Sequence, residues 1–431
     1  MRALGVEEIR PCIVVIAYNR EKALERLLAS LGAADYPKDQ EITLIISIDK
    51  SDNPEVLCTA ERFEWTKGRK RIEARSEKLG LKRHVLLCGD YSLEYGSAIV
   101  LEDDLYVSPL FYRYAVSALG FTDGREGIGG ISLYNHLLNV HARAPFYALD
   151  DGYDNYYLQF ASSWGQAYTK EQWRGFREWL EGAEACEGSG NGLFYNKPQI
   201  PANVASWSES SWLKYHIAYL IEKDMYFLYP RISLTTNFMS EGEHSAGENT
   251  ELQVPLLTGE GKEYRFSGLS ESGAVYDAFF ENRGLSSLVL KDLRDAPGGA
   301  KKADGKAEET LPEDTVLTDL YGYRTSGPAE RGKRGEKGNE AGMAGKRRYV
   351  LSCRALPYKI VKSYGRKFRP MDLNIVLKQP GEDFFLYDTT EAGPAVKTDP
   401  GKQYMYDYRA LSLKKLGAIL KCKIRNRGGN A

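Results

Sequence analysis

Three consecutive acids, Glu102-Asp103-Asp104, directly follow the apolar run Ala98–Leu101 (AIVL). Carboxylates side by side at the end of a buried strand repel one another and resist desolvation unless a cation or a donor-rich ligand compensates them. A divalent hard cation bridging to diphosphate oxygens would supply that compensation. The plain alternative is a solvated acidic turn, helped by Ser108-Pro109 just downstream. Two more polar residues end apolar runs in the same way. Arg20 comes soon after Cys12–Ala17 (CIVVIA), where a forked guanidinium could pair with phosphate. Asp49 closes Thr43–Asp49 (TLIISID), where it could accept ribose hydroxyls or a base N–H. Ordinary readings stand beside these: Arg20 as a helix-start surface charge, and Asp49 as a turn residue before Ser51-Asp52-Asn53-Pro54.

The elements that must position these residues alternate strand with helix, the pattern of a largely parallel sheet. CIVVIA is a continuous β-branched run, as a central strand buried on both faces requires. Leu24, Leu27, Leu28 and Leu31 then recur at helical spacing, with Asn19 as the expected N-cap and Glu21 in the first turn. Ligands of open α/β sheets gather at the carboxyl ends of the strands, so the three polar strand ends point to one crevice. Further on, Thr169-Lys170-Glu171-Gln172 reads as a capping box opening a helix with Trp173, Phe176 and Leu180 inward. A second helix, roughly 209–222, carries Trp212, Tyr215, His216, Tyr219 and Leu220 at helical spacing.

Composition narrows the options. The chain has 431 residues, 58 Lys or Arg against 59 Asp or Glu, a formal net charge of −1 that argues against a nucleic-acid binder. With 42% hydrophobic and 12% aromatic residues it is globular rather than disordered in character. The six cysteines form no CxxC pair and the five histidines no HExxH, so reduced thiols are expected and any metal must rest mainly on carboxylates. Apolar runs are far shorter than the ~20 residues of a membrane-spanning helix, and the N-terminus MRALGVEEIR lacks an apolar signal core, so a cytoplasmic location is expected. Three segments follow: 1–295 as the catalytic α/β domain, 296–348 as a Gly-, Lys- and Glu-rich insert expected to be disordered, and 349–431 as a small C-terminal module. Within the insert, Thr315–Tyr323 (TVLTDLYGY) could form a strand, and Asp383–Tyr387 (DFFLY) signals order in the module. The tail at 411–427 (LSLKKLGAILKCKIRNR) is basic and amphipathic; it could lie on an anionic membrane surface or dock on the protein's own body.

VVIAYNR, IISID and AIVLEDDLYVSP together resemble the nucleotide-sugar half of a GT-A-type glycosyltransferase, with the acidic triplet in the place of its DxD motif. ASSWG (161–165), WSESSW (207–212) and YPRISLTTNF (229–238) are similar to the acceptor side of N-acetylglucosaminyltransferase I and of bacterial surface-polysaccharide glycosyltransferases. The resemblance covers roughly residues 10–250. It implies a GT-A-like, Rossmann-like, mostly parallel sheet flanked by helices. It assigns Arg20, with Tyr18 beside it, to nucleotide or phosphate contacts, Asp49 to base or ribose, Glu102 and Asp103 to the sugar nucleotide, and Asp104 to Mn²⁺ or Mg²⁺. The expected activity is inverting transfer of a sugar from a nucleoside-diphosphate sugar, UDP-linked by preference. The expected acceptor is a hydroxyl of a saccharide or lipid-linked saccharide, in cell-surface polysaccharide or lipopolysaccharide synthesis.

An inverting transfer needs a carboxylate within reach of the acceptor hydroxyl. Relatives place it immediately before a Trp at a helix start, whereas here Ser211 precedes Trp212 and the nearest acid is Glu209. Glu209 reads equally as base and as a helix-terminal anion favoured by the macrodipole. Glu241 and Glu243 stand in reserve. His244, between Gly242 and Gly247, could ligate the metal or meet diphosphate on a closing loop, or simply be solvated. Trp164 could stack on the sugar or cap the sheet edge as a core aromatic. Gly80-Leu81-Lys82-Arg83-His84 opens a helix that could meet phosphate, or presents a solvated basic face. Two rival functions remain. A nucleotidyltransferase would carry a Gly-rich basic loop after the first strand, and VVIAYNREKAL has none. A non-catalytic saccharide-, nucleotide- or partner-binding module would explain the missing acid beside Trp212.

Overall fold

The apolar runs of the N-terminal half become parallel neighbours in one sheet. The computed structural model describes residues 9–187, 199–238, 250, 252–295, 316–324, 347–394 and 396. Strand β1 (Cys12–Ala17) lies between β2 (Leu44–Ile48) and β4 (Ser97–Glu102), with β3 (Lys70–Ala74) outside β2. The registers Ala17↔Ile48 and Ile16↔Glu102 bring the polar strand ends level with one another. Side chains alternate across a strand, so Ile13, Val15 and Ala17 join one core layer while Cys12, Val14 and Ile16 join the other. Helix α1 (Glu21–Ala33) closes the first layer with Leu24, Leu27, Leu28 and Leu31, each contributing roughly 1.5–3 kcal/mol by burial. After α2 (Glu55–Arg62), helix α3 (Leu81–Gly89) closes the second layer with Val85 and Cys88. The cap of α1 differs from the expectation. Arg20, not Asn19, is the N-cap residue and makes no side-chain cap, because a guanidinium can only donate; it reaches the acidic triplet instead.

Helix α4 (Tyr91–Tyr95) precedes β4, and β5 (Leu105–Val107) follows the triplet. Helix α5 (Phe111–Thr122) and β6 (Ile128–Ser132) come next, then the two-residue strands β7 (Leu138–Asn139) and β8 (Ala144–Pro145). Beyond β4 the large sheet continues through β10 (Gln166–Thr169), β6, β11 (Tyr226–Pro230), β9 (Asn155–Leu158) and β13 (Val275–Tyr276). Strand β10 is antiparallel to both of its neighbours, and five of the eight pairings in this nine-stranded sheet are parallel. This is the expected α/β class, a mostly parallel sheet flanked by helices. Its β3-β2-β1-β4 half reverses direction of growth at β1, which opens a crevice at the carboxyl ends.

The capping box is realised in full: Thr169 N–H donates to Gln172 Oε1 at 3.0 Å and Gln172 N–H to Thr169 Oγ1 at 3.3 Å, starting α6 (Lys170–Glu187). Helix α7 (Ala202–Ala205) leads to α8 (Trp212–Glu222), which begins three residues later than the spacing suggested. Trp212 reaches the second core layer among Val14, Val85 and Val100.

The chain divides into two compact units, one of residues up to Leu138 with Ala148–Arg283, the other of Asn139–Tyr147 with Gly284 onward. The second unit has helix α9 (Gly284–Asp295) and a four-stranded sheet in which β14 (Val316–Asp319) pairs parallel with β15 (Tyr349–Ser352). Strand β17 (Phe384–Ala392) joins β15 to β16 (Tyr358–Tyr364) by antiparallel pairing. The strand expected within 315–323 is thus β14, shorter than the run. Most of the 296–348 insert, the tail at 411–427 and the loop holding Glu241, Glu243 and His244 lie outside the described residues. Among the described residues no helix is long and apolar enough to cross a membrane.

Candidate functional site

The triplet lies at the turn between β4 and β5. Strand β12 (Thr235–Asn237) pairs antiparallel with β5, setting Asn237 opposite Leu105, and the Phe238 N–H donates to the Asp104 carbonyl at 2.9 Å. The turn is therefore held from both sides. From the end of β1, Arg20 is ion-paired with Asp103 and donates to Asp104 Oδ2 at 3.1 Å. The Tyr18 backbone also hydrogen-bonds Asp103, which favours its ionised form. Burial works against the Arg20 guanidinium, but the charges of Asp103 and Asp104 outweigh it and keep it protonated.

Arg20 alone is ion-paired with the acids among the described residues, and with Arg26 farther off two cations face three carboxyls. Burial, then the charges of Asp104 and Asp103, push the Glu102 carboxyl up to about 8. Burial likewise pushes Asp103 up to about 6, more than Arg20 holds it down. Asp104 Oδ1 and Asn237 Oδ1 are buried and have no hydrogen-bond partner among the described residues, and Asn237 as a whole is 3% exposed. Buried oxygens of that kind cost free energy unless something donates to them or binds them. An all-oxygen donor set with excess negative charge fits a hard divalent cation such as Mg²⁺ or Mn²⁺. Among the described residues no three His, Cys, Asp or Glu side chains form a ready-made metal cluster, so further ligands would have to come from diphosphate or solvent.

The other expected donor contacts take up neighbouring positions. Tyr18 continues from β1, and Lys78 Nζ lies 4.9 Å above its ring. Asp49 is buried at the end of β2 with its oxygens turned to the backbone. Oδ1 accepts from Lys50 at 2.9 Å and Leu79 at 2.8 Å, and Oδ2 from Gly80 at 3.0 Å. It thereby anchors the start of α3, leaving about one of its lone pairs for a ligand. Behind it, Ser47 Oγ contacts His84 Nε2 at 2.8 Å and accepts from Arg75 at 3.2 Å, while burial lowers His84 to about 4.

Trp164 sits two residues before β10, whose Gln166 faces Val100 of β4, so it flanks the triplet's strand end. It is half-buried at the margin of the core, 4.7 Å from the Tyr134 ring, and its carbonyl accepts from Thr235 Oγ1 at 2.6 Å. Gly165 makes that approach feasible: its φ is +90°, and a Cβ there would lie 2.8 Å from Thr235 Cγ2.

Glu209 is in different company. Its carboxylate accepts from Lys214 Nζ at 2.6 Å and from the Tyr215 hydroxyl, contacts that hold it below the usual carboxylate range. Lys214 is 1% exposed along its side chain and Glu209 71%, so the pair compensates a buried ammonium. Lys82 of α3 lies 3.6 Å over the Tyr215 ring, which links Glu209 to the Asp49 side of the crevice. A cleft of about 460 Å³ runs beside α3, lined by Leu79, Gly80, Lys82, Leu86, Arg177 and Ser210. Two of its three cations are paired within it, Lys82 with Glu184 at 2.6 Å and Arg177 with Asp90 at 3.0 Å, while Arg83 meets Glu77 outside the lining at 3.3 Å.

Sequence reading missed Arg26, Asn237 and Phe238 as individual participants. Arg26 stacks over Phe238 at 4.3 Å within the field of Asp104 and Asp103, and burial lowers its guanidinium's pKa. The run 229–238 was visible as a block; that its last residues pair with β5, some 130 positions earlier, was not.

No protein-family profile matches the sequence, and no curated protein matches it. Solved structures match in part. S. aureus TarS 1–349 in complex with UDP-GlcNAc is 14% identical with a TM-score of 0.35, over 54% of this chain and 60% of that one. The same fragment in complex with UDP gives 15% and 0.33, over 51% and 60%. A mannosyltransferase from Pyrobaculum calidifontis, in complex with GDP-Man and Mn²⁺, gives 15% and 0.28, over 40% and 47%. The chain thus spans 47% to 60% of these three solved chains, and likenesses so distant leave its function to its own residues.

Proposed function

We propose that this chain is a metal-dependent, inverting glycosyltransferase that moves a sugar from a nucleoside-diphosphate sugar, UDP-linked by preference, to a saccharide hydroxyl. The observation that carries the reading is a pair of buried oxygens without a partner among the described residues, Asp104 Oδ1 and Asn237 Oδ1, at an acidic triplet on the carboxyl end of a parallel strand. Asp104 would hold Mn²⁺ or Mg²⁺, with His244 as a further ligand, and the ion would neutralise charge on the departing diphosphate. Arg20 and Tyr18 meet the phosphates and nucleotide, Asp49 meets base or ribose with its remaining lone pair, and Glu102 and Asp103 orient the sugar. Trp164 offers an apolar ring at the edge of the sugar's position. Glu209 accepts the proton of the acceptor hydroxyl as its oxygen bonds to the anomeric carbon and the bond to diphosphate breaks. Lys214 and Tyr215 keep Glu209 ionised for that task. A saccharide or lipid-linked saccharide acceptor in surface-polysaccharide or lipopolysaccharide synthesis suits this chemistry, with the basic tail at 411–427 resting on the cytoplasmic face of a membrane.

A second reading, a saccharide- or nucleotide-binding module without turnover, is favoured by the same Glu209 contacts, since Lys214 and Tyr215 occupy the carboxylate that a base needs free. Incubation with a panel of nucleotide sugars and Mn²⁺, assayed for released nucleoside diphosphate, separates the two. Release supports the transferase. Donor-dependent thermal stabilisation without release supports the module, and neither signal removes both.

A further inference from the structure

Arg20 already stands where an added cation would act. Its guanidinium engages Asp103 with one nitrogen and Asp104 Oδ2 with another at 3.1 Å, while Asp104 Oδ1 and Asn237 Oδ1 have no partner among the described residues. The side chain is 29% exposed, on the connection between β1 and α1, so it can turn without disturbing the core. A diphosphate offers adjacent oxygens that a guanidinium can grip with two nitrogens, as Arg20 grips one oxygen of each carboxylate, and it would arrive at this same strand end. The other nearby guanidinium, Arg26, stacks over the Phe238 ring; among the described residues it makes no ion pair with the triplet, although its buried Nε and Nη2 have no hydrogen-bond partner there.

From this we infer that Arg20 is an internal counter-ion coupling the two ligands: it holds the carboxylate oxygens a divalent cation needs until a diphosphate draws it away. The inference rests on the proposed donor and metal roles of this crevice. Each ligand then eases the entry of the other, and thermodynamic linkage makes the effect reciprocal. The free protein is left with a net charge it can tolerate, and with little appetite for a lone metal ion.

The experiment uses the full chain, Mn²⁺ alone followed by electron paramagnetic resonance, and UDP alone in metal-free buffer followed by calorimetry. Arg20→Gln should bind Mn²⁺ about tenfold more tightly than the wild type and UDP about tenfold more weakly. Arg20→Lys, which keeps the charge but not the fork, should retain weak Mn²⁺ binding. A merely structural arginine would weaken both ligands when removed, and that result overturns the inference. Equal, measurable Mn²⁺ affinity in wild type and Arg20→Gln also overturns it while leaving the metal role standing. If neither protein binds Mn²⁺, the metal role falls and the inference with it.

Discussion

Two glutamates in the first unit meet opposite fates. Glu102 ends β4 among like charges, and burial with Asp104 and Asp103 pushes its carboxyl up to about 8. Glu209 precedes α8 facing a buried ammonium, and Lys214 and Tyr215 hold it below the usual range. The first region sets Arg20 and Arg26 against three acids, and among the described residues it leaves Asp104 Oδ1 and Asn237 Oδ1 without donors. In the second, carboxylate and ammonium satisfy each other, and the structure around them needs nothing further. The contrast teaches where a ligand belongs: an incomplete electrostatic arrangement is completed by what binds, whereas a complete one serves the fold first.

Asp104→Asn is the severest challenge to that contrast. Donor turnover should fall about a thousandfold, the several kcal/mol that a cation contributes to a departing diphosphate, while Tm stays within a few degrees. Wild-type rates in a turnover assay would end the metal role. Glu209→Gln comes next. As a base its loss should cut turnover about a hundredfold or more with donor affinity unchanged. It should also destabilise the protein by about 1–3 kcal/mol, because Lys214 keeps its burial and loses its anion. Stability loss with turnover intact would make the region purely structural.

The pH dependence sharpens the comparison because the signs differ. A carboxyl raised from its ordinary 4.5 to about 8 is least costly below 4.5, and it subtracts stability as pH climbs toward 8. Glu102→Gln should therefore be more stable than wild type at pH 8, by roughly 2–3 kcal/mol, with the gap closing near pH 4. Glu209 has the opposite sign, since its lowered pKa gives stability above the ordinary value that is lost as pH falls. Urea melts of Glu102→Gln at pH 4 and 8 check the first direction, and melts of Glu209→Gln at pH 5 and 3 check the second. The smallest effect is expected of Gly165→Ala, where a positive φ and the Thr235 contact should cost about 1–2 kcal/mol in the same assay.

What the sequence made legible was local. CIVVIA, AIVL and the leucines of α1 announce themselves through continuous or 3.6-residue apolar spacing, and the Thr169–Gln172 box through two side chains and two amides within one turn. The triplet was legible because charge at the end of an apolar run is conspicuous. Arg20 was visible as a residue but not as the partner of Asp103, since the pairing spans two strands and depends on the register Ile16↔Glu102. Asp49 looked like a ligand contact by position alone; that its oxygens bind the amides of Leu79 and Gly80 depends on where α3 starts. Asn237 was visible only as part of the 229–238 block; it is the pairing of β12 with β5 that carries it to the triplet.

That last pairing bears on how the protein is made. The hydrogen bond from Phe238 to the Asp104 carbonyl fastens the acidic turn with a residue synthesised long after it. A nascent chain still lacking that residue has its nucleotide-side strands but an unfastened turn. Translation must therefore pass Phe238 before the crevice can assemble, and any fragment ending earlier should fold its first strands and yet bind no donor.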